Sequence, residues 1–172
     1  MKRNVILAGV LAAMVCMATS FLHLPIVGGG YVHLGDTVIY LAAALLPTPY
    51  AVAAAAVGAG LADLLVAPVW APFTIVIKGV MAWAFTAKKE RFLCGRNALA
   101  PLIAGVIGVA GYYIAEVVIF WASGGELAAV SVASVAAIPF NEIQEEAGGI
   151  AFLLLAAALY RLNIKQRLKK FC

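Results

Sequence analysis

From Val5 to Leu24 the chain runs for 20 residues without a formal charge, interrupted mainly by Thr19, Ser20 and His23. At about 1.5 Å per residue, a helix of that length crosses the roughly 30 Å hydrocarbon core of a bilayer. Several further apolar runs follow. Only 12% of the residues are charged, 65% are hydrophobic, and mean hydropathy is +1.04. A soluble domain of 172 residues needs far more polar surface, so the chain reads as an all-α, polytopic membrane protein forming one membrane unit over 1–172. Met1-Lys2-Arg3-Asn4 before the apolar run also fits the start of a signal peptide, but the run's length reads as a retained first helix. Cys16, Cys94 and Cys172 show no CxxC or metal-like spacing and read as free thiols.

Six helices are expected. The first covers Val5 to about Leu24, followed by a loop from Pro25 to Asp36 too rich in glycine to stay helical. Asp36 or Thr37 is placed to cap the second helix, which ends near Leu46 and is too short to cross a bilayer unless enclosed. Pro47-Thr48-Pro49 breaks the chain before a third helix from Tyr50 to Val66, and Ala67 to Pro72 leads into a fourth from Phe73 to about Ala87. The fifth is expected from Leu99 to Trp121, with a partial helix in Leu127 to Ile138 lying across the mouth of the bundle. The sixth runs from Pro139 to Leu162, with Pro139 suited to a first helical turn and the acids after it suited to the positive end of the helix dipole.

With six crossings both termini share one side. Eleven of the 12 basic residues then fall on that side, before the first helix, between the fourth and fifth, and after the sixth. The positive-inside rule makes that side cytoplasmic. The basic charge is therefore a topology signal, and nucleic acid is not an implied partner. Among the acids, Glu90 alone lies on the basic side, while Asp36, Asp63, Glu116, Glu126, Glu142, Glu145 and Glu146 gather towards the opposite end. Lys78, the twelfth basic residue, sits roughly 8 Å into the fourth helix. Hydrophilic groups at membrane depth are tolerated where they line a cavity or pack on protein. Their convergence from separate elements predicts a pocket in the external third of the bundle.

Asn141, Gln144, Glu145, Gly148 and Phe152 share one face of the sixth helix by i, i+3, i+4 spacing. Gly148 makes room there and Phe152 forms a floor. Asn and Gln each donate and accept, which suits a neutral ligand bearing heteroatoms. Tyr112 and Glu116 lie one turn apart on the fifth helix, with Tyr113 beside them. Glu116 reads as a ligand contact, a mate of Lys78 or a helix cap, and Lys78 as the ligand's charge partner or the mate of Asp63 or Glu116. Asp63 reads as structural. His33 in the first loop belongs to the candidate substrate-binding set with Asn141, Gln144, Glu145, Tyr112, Glu116 and Lys78. Trp70, Phe73 and Tyr31 read as aromatic walls or as membrane-interface anchors. Small residues at Ala8 and Ala12, and at Gly9 and Ala13, let another helix approach the first.

No metal or cofactor site is expected, since two distant histidines and no HExxH give no zinc spacing. Glu145-Glu146 has the paired acids of intramembrane CAAX-type proteases, but Ile150 stands where that pattern needs Arg. No GxSxG and no GxxxxGK[ST] occurs, so no catalytic residue is assigned and ATP hydrolysis is excluded for the chain alone. Two rival readings remain: a small intramembrane enzyme using Glu116 or Glu145, and an ATP-independent channel or carrier.

Five segments in order resemble the substrate-binding S components of energy-coupling factor (ECF) vitamin transporters. They are Gly30 to Asp36, Gly58 to Leu65, Ala71 to Gly79, Gly111 to Glu116, and Pro139-Phe140-Asn141-Glu142-Ile143-Gln144. The resemblance spans nearly the whole chain. It implies a multi-pass subunit of a prokaryotic-type plasma membrane that captures a water-soluble vitamin at the external face. The first loop acts as a lid and the bundle topples to deliver the cargo. It also implies a membrane scaffold subunit and two cytoplasmic ATPases as partners, with Ala8-Gly9-Val10-Leu11-Ala12 matching the helix that contacts the scaffold. Nickel and cobalt members carry a histidine directly after the initiator Met, where this chain has Lys2, so a metal cargo is not expected. The resemblance is to the riboflavin, hydroxymethylpyrimidine and vitamin B6 branch. A pyridoxine-like or pyrimidine precursor is the expected cargo, with riboflavin the alternative.

Overall fold

The computed structural model describes residues 2–26, 30–89 and 91–170; Glu90, residues 27–29 of the first loop, the Tyr31 side chain and Cys172 lie outside this description. The described chain is helical apart from one hairpin. Helix α1 (Lys2–Phe21) leads into strands β1 (His23–Ile26) and β2 (Gly30–His33), and α2 (Gly35–Leu45) and α3 (Thr48–Val66) follow. A 3-10 turn at Pro68–Trp70 enters α4 (Ala71–Ala82). Then come α5 (Gly95–Ala122), α6 (Leu127–Ala133) with a 3-10 turn at Ser134–Ala137, α7 (Ile138–Arg161) and α8 (Ile164–Lys170).

Four helical stretches among the described residues are long and apolar enough to cross a membrane: Lys2–Phe21, Thr48–Val66, Gly95–Ala122 and Leu127–Arg161. Helix α2 and the 68–82 segment are apolar but short. At 11 residues α2 is about 16 Å long, as its sequence implied, and it is buried along most of its length among the other helices. The surface is apolar, with Ile6, Leu65, Val76, Leu102, Val106 and Leu154 among the exposed side chains, as a bilayer requires.

Between membrane helices the hydrophobic effect gives little drive, so close packing of small residues carries association. Helix α1 packs chiefly on α3, α3 on α4, and α5 on α7. Ala8, Ala12 and Val15 of α1 are buried with Ala55 and Ala59 of α3. Gly58 is what permits this approach: a Cβ there would stand 2.5 Å from the Ala12 carbonyl oxygen. Gly9 and Ala13 lie on the open face of the same helix.

Several expected boundaries shift for identifiable reasons. The first helix ends at Phe21 instead of Leu24, because His23–Ile26 pairs antiparallel with Gly30–His33, in the register His23 to His33 and Pro25 to Tyr31. Helix α3 begins at Thr48, with Pro49 in its first turn. Helix α4 stops at Ala82, five residues short of the expected Ala87. Arg96 donates to the Trp83 and Ala84 carbonyls at 2.6 and 2.8 Å, and buried Asn97 bonds the backbone of Thr86 and Phe92. These side chains satisfy carbonyls that further helix would have satisfied, and they fix a compact turn instead. Helix α5 accordingly starts at Gly95, before the expected Leu99. The expected partial helix is α6 with its 3-10 extension, packed against α5 and, through the extension, α7. Helix α8, read from sequence only as a tail, is fastened by Lys165, whose Nζ donates to the Lys89 carbonyl at 2.9 Å.

Gly58→Val should push α1 from α3 and destabilise the protein by about 1–3 kcal/mol. Gly9→Val, where a Cβ meets nothing within 4 Å, should leave stability unchanged. Thermal unfolding of the two variants in detergent checks the contrast.

Candidate substrate-binding site

Helix α7 delivers the expected face. Gln144, Glu145, Gly148 and Phe152 are buried, Asn141 is half-buried, and Glu142 and Glu146 are exposed. Gly148 lets α2 lie against α7: its carbonyl accepts from Thr37 Oγ1 at 3.3 Å, and a Cβ there would meet Asp36 Cβ at 3.0 Å. Gly108 does the same on the α5 side, where a Cβ would collide with Glu145 Oε1. Glu145 is thus seated against two glycines of α5, Gly105 and Gly108.

Around Glu145 the structure assembles a buried polar network from α2, α4, α7 and β2. Lys78 Nζ lies 2.6 Å from Asp36 Oδ1 and 3.1 Å from Glu145 Oε1. Tyr40 Oη donates to Glu145 Oε2 at 2.5 Å. Gln144 uses both ends of its amide, donating from Nε2 to Asp36 Oδ2 at 2.9 Å and accepting the His33 backbone N–H at 3.1 Å. The His33 ring turns inward and accepts the Gly35 N–H on Nδ1 at 3.0 Å. Asp36 and Lys78 are fully buried, Glu145 nearly so. A lone charge there would be prohibitive; paired and hydrogen-bonded, the three are tolerated.

Beneath the network, on the side away from the hairpin, Tyr40 stacks on Phe85 at 4.8 Å, and Phe152 meets both rings edge-on at 6.1 and 5.3 Å. Phe152 is thus part of the expected floor. Beside the network Tyr112 lies under Lys78, with the ammonium 5.1 Å from its ring centroid. Its hydroxyl shares a 3.1 Å hydrogen bond with Thr74, and Trp70 stands 6.1 Å away at a tilt of 59°.

The structure therefore brings together five of the seven candidate ligand contacts: His33, Lys78, Tyr112, Gln144 and Glu145. Asn141 and Glu116 join no hydrogen bond or ion pair among the described residues. Three readings are corrected. The mates of Lys78 are Asp36 and Glu145, not Asp63 or Glu116, because α2 and α7 place their carboxylates closer. Asp36 does not cap α2; it lies inside the first turn, and no side-chain hydrogen bond caps that helix. Ala8 and Ala12 are covered by α3, so the face of α1 open to another protein is that of Gly9 and Ala13. Tyr40 was missed altogether; an apolar helix offered one tyrosine with nothing to mark its partner.

A cavity of about 860 Å³ lies between α5 and α7, lined by Pro101, Gly105, Val109, Tyr113, Ile150 and neighbours, with Glu142, Glu145 and Glu146 as its acidic lining. Among the described residues no group of three His, Cys, Asp or Glu side chains is arranged to hold a metal.

Residues 1–161 match the sequence model of the ECF-type riboflavin transporter S component family. A Pyrococcus woesei protein described as an uncharacterized protein in a gap 3′ region is 30% identical over 141 residues, covering 79% of this chain and 86% of its own. A solved structure described as the S component of a bacterial ECF transporter superposes with a TM-score of 0.72 at 20% identity, over 94% of this chain and 97% of that one. The two share a fold.

Lys78→Met should destabilise the protein by about 3–5 kcal/mol, because Asp36 and Glu145 are left buried without a cation. Replacing all three together (Asp36→Asn, Lys78→Met, Glu145→Gln) should cost less than the single change. Chemical unfolding in detergent measures both. His33, outside the spanning helices, titrates low: burial pulls its pKa from the ordinary 6.5 to about 4, opposed by Asp36 and helped by Lys78 and His23. Unfolding raises that pKa, so the contribution is complete above pH 6.5 and is lost as pH falls through about 4. Thermal stability should drop across that window, and His33→Gln should flatten the drop.

Proposed function

Because the chain belongs to the ECF-type riboflavin transporter S component family, a family of transporter subunits and not of enzymes, we propose that it is the vitamin-capturing membrane subunit of an ATP-driven importer. The observation that carries the reading is the buried network on α2, α4 and α7, roofed by the β1–β2 hairpin through His33 and Gln144 and flanked by Trp70 and Tyr112. It supplies an ordered polar floor with aromatic walls at one end of an otherwise apolar bundle, which is what a water-soluble ring needs. Asn141, half-buried and with its amide unspent among the described residues, is the side chain of α7 left to read the ligand. Tyr112 and Glu116 are the candidate contacts from α5, and Gln144, Glu145, Lys78 and His33 hold the floor and roof.

In this reading the chain is one multi-pass unit of a prokaryotic-type plasma membrane. It makes six crossings, with α2 enclosed by the longer helices and α4 packed on α3 and α5, and both termini are cytoplasmic because the basic residues gather there. Its partners are a membrane scaffold and two cytoplasmic ATPases, and the scaffold docks on α1, where Gly9 and Ala13 leave the helix backbone open. The cargo is a small heteroaromatic vitamin or precursor, pyridoxine-like or a hydroxymethylpyrimidine, because the set mixes Asn, Gln, Glu and Tyr. The family description favours a second reading, riboflavin itself.

The purified chain should carry or bind one vitamin molecule, identified by native mass spectrometry. Asn141→Ala should weaken that binding by about 1–3 kcal/mol through a lost buried hydrogen bond. Unchanged affinity would place the ligand elsewhere, and no binding of any vitamin would remove the capture role.

A further inference from the structure

Lys78 is the sole lysine or arginine between Arg3 and Lys88, and none lies between Arg96 and Arg161. The hairpin, α2, α4, the outer part of α5, α6 and the first half of α7 thus bring one permanent cation to the capture site. That cation is fully buried and doubly engaged, 2.6 Å from Asp36 and 3.1 Å from Glu145. The same elements add acids and no counterweight. Glu116 is buried with no hydrogen bond or ion pair among the described residues, and Glu142 and Glu146 stand at the start of α7. His33 adds no charge at neutral pH, since its Nδ1 already accepts the Gly35 N–H.

We propose that the capture site selects by charge, taking the uncharged or cationic form of a heteroaromatic cargo and refusing its phosphate ester or carboxylate, because its one ammonium is already bound to Asp36 and Glu145. The proposal rests on the capture role argued from the family and the network. An anionic ligand has two routes, both unfavourable. It can displace a carboxylate from Lys78, which leaves that carboxylate buried and unpaired, or it can enter without a counter-ion among carboxylates. A neutral ring needs only stacking and hydrogen bonds, and a cation meets an acid surplus. Discrimination of this kind comes from what the site repels as much as from what it attracts.

Matched pairs test this with the full chain in detergent, stripped of co-purified ligand. Isothermal titration calorimetry is run on riboflavin, pyridoxine and hydroxymethylpyrimidine, each against its phosphate ester. Whichever parent binds, its ester should bind at least about 100-fold more weakly. An ester within about threefold of its parent would overturn the charge rule while leaving the capture role intact. Failure of all three parents and their esters to bind would instead remove the capture role for these cargoes, and the inference with it. Glu145→Gln and Asp36→Asn each release one carboxylate from Lys78, so each should narrow the gap between parent and ester by about 10-fold. A full gap in variants that still bind the parent would show that Lys78 is not what enforces it.

Discussion

The Lys78 ammonium, shared between Asp36 and Glu145, is the contact on which the interior of this protein depends. It joins α2, α4 and α7, and Thr37, Tyr40 and Gln144 add hydrogen bonds between α2 and α7, where apolar helices in a bilayer gain little from burying apolar surface against one another. Each charge would be intolerable alone, so the network fixes one arrangement of the three helices in preference to others that would strand a charge. Tyr40 donates to Glu145 and Gln144 to Asp36, and Gln144 extends the network to the hairpin through the His33 backbone.

Glycine makes this geometry possible. Gly148 lets α2 approach α7, Gly108 admits the Glu145 carboxylate against α5, and Gly58 seats α1 on α3. The aromatic layer of Tyr40, Phe85 and Phe152 then closes the bundle below the polar network. Polar floor and aromatic seal follow from one requirement: the charges of Asp36, Lys78 and Glu145 must be matched where no water reaches them.

Much of this was legible in the sequence. Length and spacing of apolar runs predict the membrane class, and i, i+3, i+4 spacing identifies the α7 face that Gln144, Glu145, Gly148 and Phe152 bury. A lone lysine inside an apolar helix announces an ion pair. Its partners could not be read. Asp36 lies at a helix start, where local chemistry makes it a cap, and only the folded packing of α2 against α4 shows that it faces Lys78 instead. The hairpin was hidden because Pro25 and the glycines argue against helix without revealing which residues pair. The turn after α4 was equally hidden, since Arg96 and Asn97 read as loop residues until their bonds to backbone carbonyls are seen. Ala8 and Ala12 carry a helix-packing signal, but the signal does not say which helix; the structure spends it on α3.

The most direct measurement is an experimental structure of the full chain with its vitamin bound. The account predicts the ring over the network beside Trp70 and Tyr112, within hydrogen-bond reach of Asn141, with Lys78 still paired to Asp36 and Glu145. A ligand held elsewhere, or a Lys78 ammonium turned away from both carboxylates to meet the ligand, would contradict it.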